Sequence, residues 1–316
     1  MARVETPVTA ARGFEVSARR FRQVAFVAAA MLLLVVATGA TVRLTASGLG
    51  CESWPGCEDR YRLPEQSFHS YVEFGNRVIA FLTILATFVA GVASVFVATL
   101  PRWAKALAWL TFVGTLAQAP LGAITIHYHL DPWLVLSHFL LSMVVLTAGV
   151  VLLLEAWGAH TGALVPPWVR ALATAFGAAC VTMVVTGTLA TAAGPHPGSR
   201  EGVRRLGNFQ TAVDVHVRAT AVFGILLLVL VAYLWRTRRR SGRLLHATLA
   251  VLALVCVQMA IGELQYRNRL PWWLVLAHVT VAATVWASVV ALVTSCFRPL
   301  IALAPPGRRL DRWPTS

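Results

Sequence analysis

Charge is what this sequence has least of. Only 13% of its 316 residues are Asp, Glu, Lys or Arg, against 58% apolar residues and a mean hydropathy of +0.70. Soluble globular domains carry about 25% charge, so this balance excludes one and places the chain in a bilayer. Acids are the scarcer sign, thirteen against twenty-seven Lys and Arg, which leaves a net charge of +14. Cysteine is sparse as well. Of five, Cys180, Cys256 and Cys296 lie inside or at the end of apolar runs, where a small buried residue needs no chemical role.

Apolar runs of span length occupy 24–42, 74–98, 107–126, 132–154, 168–190, 212–235, 244–262 and 271–294. A hydrocarbon core of about 30 Å needs roughly 20 residues of helix, so the sequence predicts eight transmembrane helices and an all-α integral membrane fold. The first run is longer than the hydrophobic part of a cleaved leader and is read as a span. Seventeen of the twenty-seven Lys and Arg fall on one side of the eight-span order, among them Arg3, Arg12, Arg19, Arg20 and Arg22, and the run Arg236 to Arg243. By the positive-inside rule that side is cytoplasmic, so both termini are expected inside the cell membrane. The basic excess is therefore a topology signal that also meets anionic membrane lipid, and no nucleic-acid partner is expected.

Compared with itself at an offset of 140, the chain repeats. Gln118-Ala-Pro-Leu-Gly122 overlies Gln258-Met-Ala-Ile-Gly262, Trp133 to His138 overlies Trp273 to His278, and Asn76 overlies His216; near offset 148, Thr38-Gly39 overlies Thr186-Gly187. Each half is then a four-helix unit, 24–155 and 168–294, flanked by tails at 1–23 and 295–316. Four is even, so the second unit enters from the same side as the first and the repeats are parallel, as two four-helix bundles.

Histidine inside a span marks function by default. His216 and His278 sit in the outer half of two different spans of the second unit, an arrangement that suits a haem iron held between two imidazoles. Two histidines hydrogen-bonding neighbouring helices would satisfy the same spacing. His138 occupies the matching depth in the first unit, but its expected partner is Asn76, a poor iron ligand. A haem there keeps an open coordination position, which suits reaction, whereas the two-histidine site suits electron relay. Glu73, Asn76 and Arg77 share one helix face. Glu73 is the leading catalytic candidate, because a carboxylate beside an open site can move protons; an i,i+4 ion pair with Arg77 is the plainer alternative. Arg77 and Arg218 are candidates for haem propionates, with snorkelling to the interface as the alternative for each.

Cys51 and Cys57 bracket a short outer loop, on the face where disulfides persist. A disulfide is the favoured reading; two reduced thiols or a metal site remain as alternatives, though no third ligand lies close in sequence. The pair His127 and His129 in the outer loop between spans three and four could ligate a metal or simply be solvated. His196, in Gly-Pro-His-Pro-Gly, reads as turn chemistry. His69, His160 and His246 carry no signal.

Taken together, Val42-Arg-Leu-Thr-Ala-Ser-Gly-Leu-Gly-Cys51, Trp54-Pro55, Cys57, Glu73-Phe-Gly-Asn-Arg77, His138, Thr186-Gly187, Gly194-Pro195-His196, His216 and His278 resemble the haem A synthase family across all eight spans. The resemblance implies a haem b cofactor on His216 and His278, a haem O substrate site at His138 and Glu73, and a paired outer-loop cysteine motif at Cys51 and Cys57. It also implies oxidation of a haem O methyl group to a formyl group. Expected partners are the farnesyltransferase that makes haem O, the haem-copper oxidase that receives haem A, and an electron donor that the motifs do not identify. The family's Glu-x-x-His-Arg motif has asparagine here, at Asn76. The competing readings are an electron-transfer cytochrome b, which would need two strong ligands in both halves, and a transporter. The chain lacks matched mid-span Gly/Pro breaks of the kind that mark transporter sites.

Overall fold

The computed structural model describes residues 14–51, 56–57, 67–158, 165–199 and 203–297. Most of both expected tails (1–13 and 298–316), Trp54 and Pro55 of the loop motif, and His160 lie outside the described residues. Eight helices follow in order: α1 (Ala18–Leu44), α2 (Phe68–Val95), α3 (Arg102–His127), α4 (Pro132–Trp157), α5 (Pro167–Ala193), α6 (Phe209–Arg236), α7 (Arg238–Arg267) and α8 (Trp272–Phe297). All eight are long and apolar enough to cross a membrane, and no strand occurs among the described residues. The chain is a multi-pass membrane protein. A helix satisfies all its backbone groups internally, which is what the hydrocarbon core demands.

Several helices outrun the apolar segments, and at four of their starts a capping side chain, not hydrophobicity, sets the end. Ser17, Ser67, Asp131 and Asn208 each accept a backbone N–H at the start of α1, α2, α4 and α6. The first helix therefore begins at Ala18, inside the segment expected to be a tail. A larger departure is the basic run Arg236–Arg243, read from sequence as a loop: only Thr237 separates α6 from α7, and the rest of the run is helical. Arginine is a good helix former, and Thr237 closes α6 with a bond from its N–H to Tyr233 O. His127 likewise ends α3 rather than sitting in a loop. Pro120 stands inside α3, where its counterpart in α7 is Ala260.

Contacts close each half into a ring. α1 packs on α2, α2 on α3, α3 on α4 and α4 on α1; α5, α6, α7 and α8 do the same. The diagonal pairs α2/α4 and α6/α8 do not touch. The halves join where α8 meets α1 and α4, and α4 meets α5. That seam buries Leu32, Val36, Met143, Leu146 and Ala283, and Trp286 of α8 donates its indole N–H to Met143 O (3.1 Å) and Thr147 Oγ1 (3.0 Å) of α4. In the second half, Phe176 stacks on Phe223 at 4.7 Å. Outward-facing side chains such as Phe81, Leu110 and Val144 stay exposed, as lipid-facing residues should.

Small residues permit the closest helix approaches. A Cβ on Gly149 of α4 would sit 2.6 Å from Leu32 Cδ1 of α1. We expect Gly149→Ala to be accommodated by rotation of the Leu32 side chain. Gly149→Val should destabilise by about 1–3 kcal/mol through overpacking, read as a lower midpoint in thermal unfolding of the detergent-solubilised protein; equal midpoints would show that α1 and α4 do not depend on this contact.

Candidate functional site

Both bundle interiors are built from the same contacts. In the second half, His216 of α6 lies against Gly187 of α5, where a Cβ would come within 2.9 Å of its Cε1. The His216 Nδ1 is 3.0 Å from Met183 O and 3.3 Å from Thr186 Oγ1. A carbonyl only accepts, so Nδ1 carries the proton and Nε2 keeps a free lone pair. A metal-binding imidazole is oriented in this way. His278 of α8 lies against Gly262 of α7, with 3.1 Å between its Cε1 and an added Cβ, and Gln258 Nε2 donates to its backbone carbonyl at 3.0 Å. The two imidazoles stand on the diagonal pair of helices, which do not touch. Two imidazoles on opposed helices are the donor set that a flat ring ligated on both faces requires.

The first half repeats this set with one change. Gln118 of α3 donates to His138 O (3.3 Å) and to Ser142 Oγ (2.8 Å), and a Cβ on Gly122 would come 3.5 Å from His138 Cε1. Thr38 of α1 donates to Asn76 Oδ1 at 2.7 Å, and Gly39 approaches the same oxygen, just as Thr186 and Gly187 approach His216. His138 Nδ1, His278 Nδ1, Gln118 Oε1 and Gln258 Oε1 are all buried without a hydrogen-bond partner. Orphaned buried polar atoms are rare in proteins. Here they recur at matched positions, as expected of two sites shaped for another molecule.

Above the first-half interior lies the outer loop. Cys51 and Cys57 are joined by a disulfide. Glu73 is 4% exposed, and its Oε2 accepts the N–H groups of Gly50 (2.7 Å) and Cys51 (2.9 Å). Its Oε1 faces Arg77 Nη2 at 2.5 Å, while Arg77 Nη1 donates to Gly56 O. Glu73 and Arg77 thus hold both ends of the disulfide loop down on α2. Gly50 is required by the close approach: a Cβ there would stand 2.6 Å from His69 O. The i,i+4 pair and the catalytic candidate proposed from spacing are the same carboxylate.

Other sequence candidates are placed differently. Arg218 is exposed, and at 100° per residue it points some 200° around α6 from His216. No group of three or more metal-binding side chains forms among the described residues, so His127 and His129 have no further ligand there. His196 does more than occupy a turn: its Nε2 donates to Leu270 O (2.8 Å), while its own carbonyl accepts from Arg43 Nε (2.9 Å). Arg43 Nη2 also reaches Thr191 O at 2.9 Å. These bonds, with Gly48 N–H to Gly198 O at 2.9 Å, strap the outer rims of the two halves together. Gly198, at φ +109°, adopts a conformation open to glycine. The orienting roles of Met183, Thr38, Thr186, Gln118 and Gln258 were not assigned from sequence. For all but Met183 the signal was available, because they lie at the two repeat offsets.

Comparison with known proteins agrees with this geometry. Residues 22–290 match the model of the family described as cytochrome oxidase assembly protein. The chain is 36% identical over 108 residues to the heme A synthase of Geobacillus thermodenitrificans, covering 33% of both chains. It is 32% identical over 122 residues to the heme A synthase of Shewanella oneidensis, covering 34% of this chain and 37% of that one. The chain thus spans about a third of the length of the curated relatives it matches. The family match, by contrast, takes in all eight helices. The chain belongs to the cytochrome oxidase assembly protein family.

Proposed function

We propose that this chain is a haem A synthase, an oxidoreductase that converts the substrate haem O to haem A in the cell membrane, with both termini on the cytoplasmic side. The observation that carries the reading is the single asymmetry in a repeated site. His216 and its counterpart Asn76 sit in the same threonine and glycine surroundings, yet only one can ligate iron strongly. The names of the relatives and the basic inner face support it.

On this reading the second half, 168–294, keeps a resident haem b between His216 and His278, and the first half, 24–155, takes haem O at His138 beside Asn76. A haem b held there supplies electron transfer. His138 fixes the substrate from one face, and Asn76 leaves the other face open. The substrate methyl would become a formyl group by two successive hydroxylations, each using one dioxygen as oxidant with two electrons and two protons and releasing one water, after which the geminal diol loses water. Glu73 is the acid–base group; its proton passes at Oε1, the oxygen shared only with Arg77, because Oε2 is committed to two amides. The haem O-forming farnesyltransferase would supply the substrate, a haem-copper oxidase would accept the product, and a separate electron donor is required.

Glu73→Gln should lower haem A formation at least about a hundredfold, the scale of acid–base catalysis, with the haem b spectrum unchanged. Haem A in extracts of cells carrying only this variant at wild-type levels would remove Glu73 from the chemistry. His278→Ala should lose the tightly held haem, measured as haem per chain after purification; full retention refutes that ligand. Gly187→Val, which forces the His216 ring from its place, should lower the haem content as well, while Gly39→Val, opposite Asn76, should leave it intact.

A further inference from the structure

A cavity of about 770 Å³ opens at the outer end of the second half. Arg205, Arg267 and Arg269 line it, with Phe209 and Leu270 as an apolar wall and Tyr266 beside them. The charge is poorly balanced among the described residues. Arg267 pairs with Glu263 at 2.5 Å. Arg205 is held only by the carbonyls of Gly194 and Pro195, and it lies close enough to act on Arg43, which is itself bonded to carbonyls. Arg269 sits at φ +60° in the turn between α7 and α8, where its backbone N–H bonds Tyr266 O, and among the described residues its guanidinium has no hydrogen-bond or ion-pair partner. Three guanidinium groups thus face one carboxylate.

The cavity stands directly outward of the imidazole pair. Tyr266 is one turn, about 6 Å, beyond Gly262, the residue against His278; Phe209 is seven residues, about 10 Å, before His216. At the offset of 140, Arg267 and Arg269 correspond to His127 and His129, and His129 holds the same backbone conformation at φ +49°. The permanent cations therefore belong to the half with two histidines, and weaker bases stand in the half with one.

We propose that Arg205, Arg267 and Arg269 form an oxyanion subsite that receives the paired carboxylates on the edge of the ring held by His216 and His278. Guanidinium forks match carboxylate geometry, and charge-assisted bonds are about twice as strong as neutral ones. The inference rests on the reading of those histidines as haem ligands. It places the anchoring charge for this ring on these three residues rather than on Arg218, which stands some 200° around α6 from His216. Fixed cations retain the resident ring, whereas the imidazoles of His127 and His129 leave the other half free to exchange its occupant.

The test is reconstitution of the full chain, stripped of haem in detergent, with haem and with haem dimethyl ester, whose carboxylates carry no charge. Wild-type protein should bind the free acid at least about tenfold more tightly than the ester. Arg269→Gln, whose guanidinium has no hydrogen bond or ion pair among the described residues, should narrow that ratio, and the triple substitution by Gln should abolish it while ester binding stays at the wild-type level. Equal wild-type affinity for acid and ester overturns the subsite and leaves the histidine reading standing; binding of neither overturns both. An intact ratio in Arg269→Gln with weaker capture of phosphatidylglycerol nanodiscs assigns the cavity to a lipid headgroup and also overturns the proposal.

Discussion

An imidazole pressed edge-on against the bare backbone of a neighbouring helix is the contact on which both halves turn. At Gly187 and Gly262 no side chain larger than hydrogen fits without moving the ring, so these glycines, and not the histidines alone, fix where the imidazoles point. The constraint extends outward. Gln258 holds the backbone of His278 and Met183 O holds the ring of His216. The helices carrying the two rings stand diagonally across the bundle, apart from each other. In a bilayer the backbone satisfies itself, so specificity rests on small residues and a few polar bonds, which here line the two interiors, tie α8 to α4 and strap the outer rims.

Duplication supplies two such interiors, and a single departure gives them different capacities. Thr38 hydrogen-bonds Asn76 where Thr186 approaches His216, so the threonine and glycine surroundings are kept while the side chain facing them changes. Above that wall the first half adds what the second lacks: a disulfide loop fastened to Glu73 and Arg77. The buried carboxylate is thus a structural tie and the proposed acid–base group at once. Joining these demands explains why Glu73, Asn76 and Arg77 share one face of α2.

Much of this was legible in the sequence because each element has a strong physical signature. Eight apolar runs became eight helices, and the cysteine spacing became a disulfide. The helix ends were less legible: they depend on capping side chains such as Ser17 and on the helix propensity of arginine, so the run after Arg236 was taken for a loop. Glu73 and Arg77 were paired correctly by spacing, but spacing carries no trace of the amides of Gly50 and Cys51 that complete the cluster. Arg218 was read as a propionate partner or a snorkelling residue because guanidinium matches carboxylate, and it stands exposed some 200° around α6 from His216. His196 looked like a turn residue because its partners, Arg43 and Leu270, are distant in sequence.

On the proposed function the two halves hold iron differently. Near-infrared magnetic circular dichroism of the purified protein, before and after haem O is added, tests it most directly. One six-coordinate, low-spin haem with two imidazole ligands per chain is predicted at the outset, with added haem O bound in a high-spin form that has an open position. Two low-spin bis-imidazole haems of equal weight in each chain would contradict it.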